Sequence, residues 1–417
     1  MADQQVNDAE DLNNLGNSLC RRGLWEQAIA AYRKALAIQP TLVDAHCNLG
    51  VALVQNGELD EGIASQRKAI EINPEFVVAH NNLGSALLIA GRFDEAEEAL
   101  ERTIELRGDL SEAHFSRSLI WLMRGDFERG WREYEWRLKG RSVFMHRASQ
   151  FSQPRWDGGN LSGRMILLHA EAGLGDSLQF VRYATLVAAR GGRVIVGCQA
   201  DLAGLFRGVR GVQGVATPEA ALPEFDVHCP LMSLPLAFST TVETIPWDGP
   251  YLRPDAKKVQ HWSEKAGEGF KVGLAWKGDP RNRLDRWRSF EWKQFSRILS
   301  VPGVRYFSLQ KETSADVADK GLIDWTKELL DFADTAGLVA NLNLVITVDT
   351  AVAHLAGAMG KPVWVLVSAS PDFRWMLDRQ DSPWYPSMRL FRQKKLGDWH
   401  SAIQAVQEAL VDLRDGK

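Results

Sequence analysis

Two short stretches of this sequence set a carboxylate beside glycines and a helix start, the arrangement by which proteins handle anions and protons. In Gly173-Leu-Gly175-Asp176 the glycines let backbone come close to a ligand, and the aspartate is a candidate proton acceptor. The plainer reading is a tight turn in which Asp176 caps the following helix. In Asp349-Thr350-Ala351 a strongly apolar run meets an alanine-rich one. The amides of Thr350 and Ala351 and the helix dipole suit a diphosphate, with His354 a further donor one turn along. Asp349 serves equally well as a cap, and His354 as a packed core residue. The stretch KGDPRNRLDRWR, from Lys277 to Arg288, carries five cations. Charge runs are ordinarily solvated faces, but an arginine opposite a helix start can grip phosphate through two parallel hydrogen bonds.

These stretches need strands and helices to hold them. The runs MILLH (165–169), RVIVGC (193–198) and FDVHCPL (225–231) read as short strands, with an amphipathic helix over 177–190 between the first two. A second series follows: KVGLAWKG (271–278), RYFSLQK (305–311), LVITVD (344–349) and PVWVLVS (362–368) as strands, and 332–342, 350–360 and 399–413 as helices. Strand and helix alternate, which implies parallel sheets covered by helices. In such sheets ligands bind at the carboxyl ends of the strands, where both candidate stretches fall.

The first third follows a different rule. Gly16, Gly50 and Gly84 lie 34 residues apart, as do Gly23, Gly57, Gly91 and Gly125, the series Trp25, Leu59, Phe93 and Phe127, and the pair Pro40 and Pro74. That period is the one of tetratricopeptide (TPR) helix–turn–helix units. A fourth unit departs from the pattern, with Gly130 where alanine is expected and Ser142 where proline is, as a terminal repeat adapted to a neighbouring domain would. Most repeated positions are packing positions. Asn14, Asn48 and Asn82 are not required for packing. A column of carboxamides along a concave groove can hold the backbone of an extended acceptor peptide, since each offers a donor and an acceptor; inherited surface solvation is the other reading. His46, His80 and His114 also recur, too far apart to share a metal, and read as packing.

With 45% hydrophobic and 24% charged residues the 417-residue chain has a soluble, multi-domain composition. A net charge of −4 counts against general nucleic-acid binding. The first residues, MADQQVNDAEDLNN, lack the basic segment and apolar run of a secretory signal, and no stretch approaches the about 18 apolar residues of a membrane span. A cytoplasmic location with no membrane span is expected. Cys20, Cys47, Cys198 and Cys229 are scattered, without zinc-site or dithiol spacing.

The motif Asp349-Thr-Ala-x-x-His354-x-Ala-x-Ala358-x-Gly-Lys-Pro362 resembles the donor-site signature of heptosyltransferase-like GT-B enzymes, and Gly-x-Gly-Asp176 is similar to their first-lobe loop. The likeness runs over roughly 160–413. It implies Asp176 as catalytic base. It also implies a donor and phosphate site from Gly173, Gly175, Trp276, Lys277, Arg288, Gln310, Asp349, Thr350, Ala351 and His354. Arg288 stands where heptosyltransferases carry a phosphate-facing lysine, a departure that keeps the charge and counts against a heptose donor. With the repeats, whose asparagine column resembles the ladder of O-GlcNAc transferase, the chain looks like bacterial TPR-containing glycosyltransferases, some of which modify flagellin.

The expected architecture is an N-terminal TPR α-solenoid (1–142), a connector (143–163), and a GT-B-like pair of Rossmann-type α/β lobes (164–254 and 255–398) closed by a C-terminal helix (399–417). The expected function is inverting transfer of a sugar from a nucleotide-sugar co-substrate to a protein hydroxyl, without metal or other cofactor, the acceptor protein being recruited by the TPR groove. The alternatives are a TPR scaffold on an inactive glycosyltransferase-like platform, and transfer to a lipopolysaccharide-type acceptor.

Overall fold

A computed structural model describes residues 2–139, 151–282, 285–311 and 321–415. Ser142, the connector residues 143–150, and Arg283 and Leu284 of the cationic stretch lie outside the described residues. The chain divides into two compact units: Met1–Leu122 with Arg132–Ser142, and Met123–Trp131 with Val143–Lys417. The architecture is the predicted one, helical repeats followed by α/β.

The helices of the repeats are α1 (Ala2–Arg21), α2 (Trp25–Ile38), α3 (Val43–Asn56), α4 (Leu59–Ile72), α5 (Val77–Ile89), α6 (Phe93–Leu106), α7 (Ser111–Met123) and α8 (Phe127–Tyr134). Gly23, Gly57, Gly91 and Gly125 recur because each turn between paired helices is left-handed, with φ of 71°, 99°, 73° and 84°. In the second repeat a Cβ on Gly62 would stand 2.9 Å from the Gly50 carbonyl oxygen, which accounts for glycine where the other repeats have Ala28 and Ala96. The histidine column closes turns. His46, His80 and His114 each place Nε2 2.9 Å from the carbonyl six residues earlier, of Pro40, Pro74 and Gly108.

In the second unit β1 (Met165–His169), β2 (Arg193–Gly197), β3 (Val212–Ala216) and β4 (Val227–Pro230) form a parallel sheet of order β3-β2-β1-β4. A larger sheet has the order β10-β11-β9-β8-β5-β6-β7. Its strands are β5 (Phe270–Ala275), β6 (Val304–Ser308), β7 (Leu322–Ile323), β8 (Leu344–Val348), β9 (Val363–Val367), β10 (Asp381–Ser382) and β11 (Tyr385–Arg392). All are parallel except the edge strand β10. Strands β8 and β9 are buried along their whole length, which is why they read as unbroken apolar runs.

Both sheets reverse their strand order beside their first strand. In the smaller, the chain runs from β1 to β2 and β3 on one side and returns to β4 on the other. In the larger, it leaves β5 for β6 and β7 and returns to β8 and β9. The crevices at such reversals are where open α/β sheets bind ligands. Gly173–Asp176 follows β1, the cationic stretch follows β5, and Asp349 follows β8, so every candidate loop lies at one of these two points.

The helix expected over 177–190 is a correction. It starts earlier and is interrupted, as Leu174–Phe180, a 3-10 turn at Val181–Tyr183, and Ala184–Ala189. The tightened turn carries Arg182, buried, with Nε donating to the Gln179 carbonyl and Nη1 to that of Trp384 at the end of the other sheet's β10–β11 hairpin. Trp131, from the first stretch of this unit, packs edge-on against Phe180, Phe373 and Trp384.

Candidate active site

The Leu174–Phe180 helix begins after β1 with Gly173 at its N-cap. Asp176 is in its first turn and accepts a hydrogen bond from the Gly173 N–H (2.8 Å), so that amide is engaged by the aspartate. Asp176 is therefore a first-turn partner of the helix end, three residues inside the cap position that the plainer sequence reading assigned to it.

Gly175 faces the other sheet. A Cβ there would stand 2.8 Å from His354 Cδ2 and 3.7 Å from the Cα of Ala351. The missing side chain thus lets the start of the Leu174–Phe180 helix meet the start of the Ala351–Ala358 helix. Thr350, not Asp349, is the N-cap of the latter, and its hydroxyl lies 2.9 Å from that of Thr347. In the first turn of that helix the Ala353 N–H donates to the Thr350 carbonyl (3.0 Å), while the amides of Ala351 and Val352 precede any carbonyl of the helix that could accept them.

The His354 ring is buried, stacks on Trp375 at 5.4 Å between centroids, and has Nδ1 3.0 Å from the Tyr385 hydroxyl. Burial, then the charges of Arg374, Arg182 and Arg288, hold its pKa well below the ordinary value. The imidazole is neutral, and the 4.0 Å approach of Nε2 to Asp349 Oδ1 is no ion pair. Asp349 is pushed up to about 6, first by burial and next by Asp372, against the pull of Arg288 and Arg374.

The cationic stretch folds over the end of β5. Arg288 closes the short helix Asp285–Arg288, with Nε 3.2 Å from Asp285 Oδ1. A Cβ on Gly278 would stand 2.4 Å from that oxygen and 2.6 Å from Arg288 Nη2, so the glycine makes room for the pair. Lys277 extends outward to Glu291 (2.8 Å). Trp276 is buried beside Trp292 in the sheet's core. Its side chain packs there, and its N–H, like that of Lys277, donates to Gln310 Oε1 (3.1 and 2.8 Å). Gln310 thus fastens the end of β5 to the segment after β6.

Arg374, which sequence reading missed, occupies the junction of the two sheets. It is buried and donates through Nε to Gln179 Oε1 (2.5 Å), through Nη1 to Asp372 Oδ1 (2.7 Å), and through Nη2 to Asp176 Oδ1. The available signal was a charged pair, Asp372-Phe-Arg374, just past the end of an apolar strand, as with Asp349 after β8.

In the repeats, Asn14 is exposed and Asn48 and Asn82 are half-buried. Asn48 Nδ2 donates to Asn13 Oδ1 (3.1 Å) and Asn82 Nδ2 to Cys47 Sγ (3.2 Å), each reaching the first helix of the preceding repeat. The column therefore ties successive repeats together through its amide nitrogens. Among the described residues no helix is long and apolar enough to cross a membrane.

Comparison with known proteins agrees with this division. Residues 16–57, 43–76 and 66–98 match tetratricopeptide-repeat profiles, and 284–397 match glycosyltransferase family 9 (heptosyltransferase). The chain thus joins tetratricopeptide repeats to a segment that matches glycosyltransferase family 9. It is similar to Protein FlbA of Caulobacter vibrioides, at 31% identity over 316 residues, covering 68% of this chain and 52% of that protein. The chain spans about half the length of this relative. Solved structures similar to part of the chain include MamA (25% identity, TM-score 0.31, covering 35% of this chain and 82% of that one). Another is PilF of Pseudomonas aeruginosa (26%, TM-score 0.31, covering 33% and 62%).

Proposed function

We propose that this chain transfers a sugar, with inversion, from a nucleoside-diphosphate sugar to a hydroxyl of an acceptor protein held by its TPR repeats. The observation that carries the reading is the meeting of Gly175-Asp176 with the start of the Ala351–Ala358 helix, because it sets a carboxylate beside a helix start flanked by arginines. In the reaction the acceptor oxygen attacks the anomeric carbon as the carbon–oxygen bond to the diphosphate breaks. The bonding pair leaves on the diphosphate oxygen, and the hydroxyl proton passes to Asp176. A base on one lobe and an anion site on the other divide these tasks between the two sheets.

The leaving charge falls to first-turn amides of the Ala351–Ala358 helix and to Arg288, with Lys277 further out. With these cations in place the reaction needs no metal ion: activity unaffected by a chelator is the expected result, and loss restored by manganese contradicts it. The TPR repeats support a protein acceptor, flagellin being one such protein in this type of enzyme. The donor half is tested by titrating the protein with UDP, GDP, ADP and CMP in a thermal-unfolding assay. Stabilisation by UDP, GDP or ADP supports the reading, stabilisation by CMP alone contradicts a diphosphate donor, and stabilisation by none favours an interaction scaffold.

A further inference from the structure

The arginine at the lobe junction engages the candidate base itself. Of its three donor nitrogens, Nε is held by Gln179 and Nη1 by Asp372, whose Oδ1 also accepts the Arg374 backbone N–H at 3.0 Å. These two bonds fix the guanidinium plane, and its faces are covered by Phe373 and Phe180, with ring centroids 4.4 and 5.6 Å away. Nη2 is the nitrogen that reaches Asp176. Both Asp176 oxygens then accept a hydrogen bond, Oδ1 from Arg374 and Oδ2 from Gly173. A carboxylate bonded in this way is poorly placed to take a proton from a hydroxyl.

The guanidinium also lies close to the helix start proposed to receive the diphosphate. Asp176 follows Gly175, which abuts Ala351 and His354, and the charge of Arg374 is felt at both Asp349 and His354. A diphosphate there offers more charge and more acceptor oxygens than one carboxylate, in a fork geometry that guanidinium matches. Asp176 keeps 21% of its side-chain surface exposed against 8% for Arg374, so the aspartate is the partner that water can accept back at low cost.

We infer that Arg374 is a donor-responsive latch, which holds Asp176 through Nη2 and exchanges it for the donor's diphosphate, thereby releasing the base when the sugar nucleotide is bound. The inference rests on the donor site and base described under Proposed function. Its consequence is that Asp176 and the diphosphate compete for one arginine. Removing the aspartate's charge therefore strengthens nucleotide binding, which a purely structural ion pair does not predict.

The test is a double-mutant cycle read by isothermal titration with whichever of UDP, GDP or ADP binds the wild-type protein most tightly. Asp176→Asn is expected to tighten binding about three- to tenfold, in the range of coupling between contacting groups. Arg374→Gln should weaken it about tenfold or more, and adding Asp176→Asn to Arg374→Gln should bring no gain. Circular dichroism checks that the variants are folded; should Arg374→Gln not fold, Arg374→Lys replaces it, and the gain from Asp176→Asn must then shrink. Unchanged affinity in Asp176→Asn, or the same gain with and without Arg374, overturns the latch while leaving the donor site standing. Failure of the wild-type protein to bind any of the three overturns the donor site, and the latch with it.

Discussion

Gly175 and His354, 179 positions apart in sequence, are packed so closely that a methyl group on the glycine would stand 2.8 Å from the imidazole Cδ2. The ring has little room to yield, being stacked on Trp375 and held at Nδ1 by Tyr385. Gly175→Ala should therefore destabilise the protein by about 1–3 kcal/mol, as overpacking does, and weaken nucleoside-diphosphate binding. Denaturant unfolding with and without nucleotide measures both. An alanine variant as stable as wild type would mean that the two helix starts separate without cost.

Arg288 is expected to act through its fork and not through charge alone. Loss of a charge-assisted hydrogen bond costs about 1.5–3 kcal/mol, so Arg288→Ala should weaken donor binding about tenfold or more. Arg288→Lys should recover only part of this, since an ammonium offers a point charge in place of two parallel donors. Full recovery by lysine, in the same titration, would show that charge suffices.

Asp349 should leave a mark on the pH dependence of stability. Its pKa is raised to about 6 by burial and by Asp372, so between the ordinary aspartate range and about 6 the folded state binds more protons than the unfolded one. Stability therefore falls as pH rises through this window, by at most about 3 kcal/mol. Asp349→Asn should be the more stable protein at pH 7, with the advantage vanishing below about pH 4. Denaturant midpoints at pH 4, 5, 6 and 7 give the comparison, and a pH-independent difference contradicts the origin assigned to it.

The asparagine column makes a prediction with two parts. Replacing Asn14, Asn48 and Asn82 by alanine removes the bonds to Asn13 and Cys47. The cost is about 0.5–1.5 kcal/mol each, reduced by the higher helix propensity of alanine. The repeats should stay folded, donor binding should be unchanged, and glycosylation of the protein acceptor should be lost. Asn13→Ala is the control, since it breaks an inter-repeat bond and leaves the column intact. Equal loss in the control would assign the column to repeat packing alone.

The sequence was most informative where one period or one apolar run decides the outcome. The 34-residue spacing yields the repeats because every turn between paired helices has a left-handed glycine, and LVITV yields β8 because both its faces are buried. It was least informative where distant residues meet. Gly-Leu-Gly looks like a ligand loop until Gly175 is seen against His354, and Trp276 looks like a ligand-facing residue until it is found beside Trp292. Arg182 has no local signature, and Arg374 only the nearby Asp372, because the partners that matter, Trp384 for the one and Gln179 with Asp176 for the other, belong to the other sheet.

The central claim is that Asp176 takes the proton of a protein hydroxyl during sugar transfer. Its most direct test is mass spectrometry of the proteins of three strains: one with the wild-type gene, one lacking it, and one carrying Asp176→Asn. The substitution leaves the shape of the first turn and removes the base, a change worth about 100-fold in rate or more. The account predicts a sugar-sized mass shift on serine or threonine of at least one protein in the first strain, and its loss in the other two, with the Asp176→Asn protein still folded and still binding nucleoside diphosphate. A mass shift at wild-type level in the Asp176→Asn strain would contradict it.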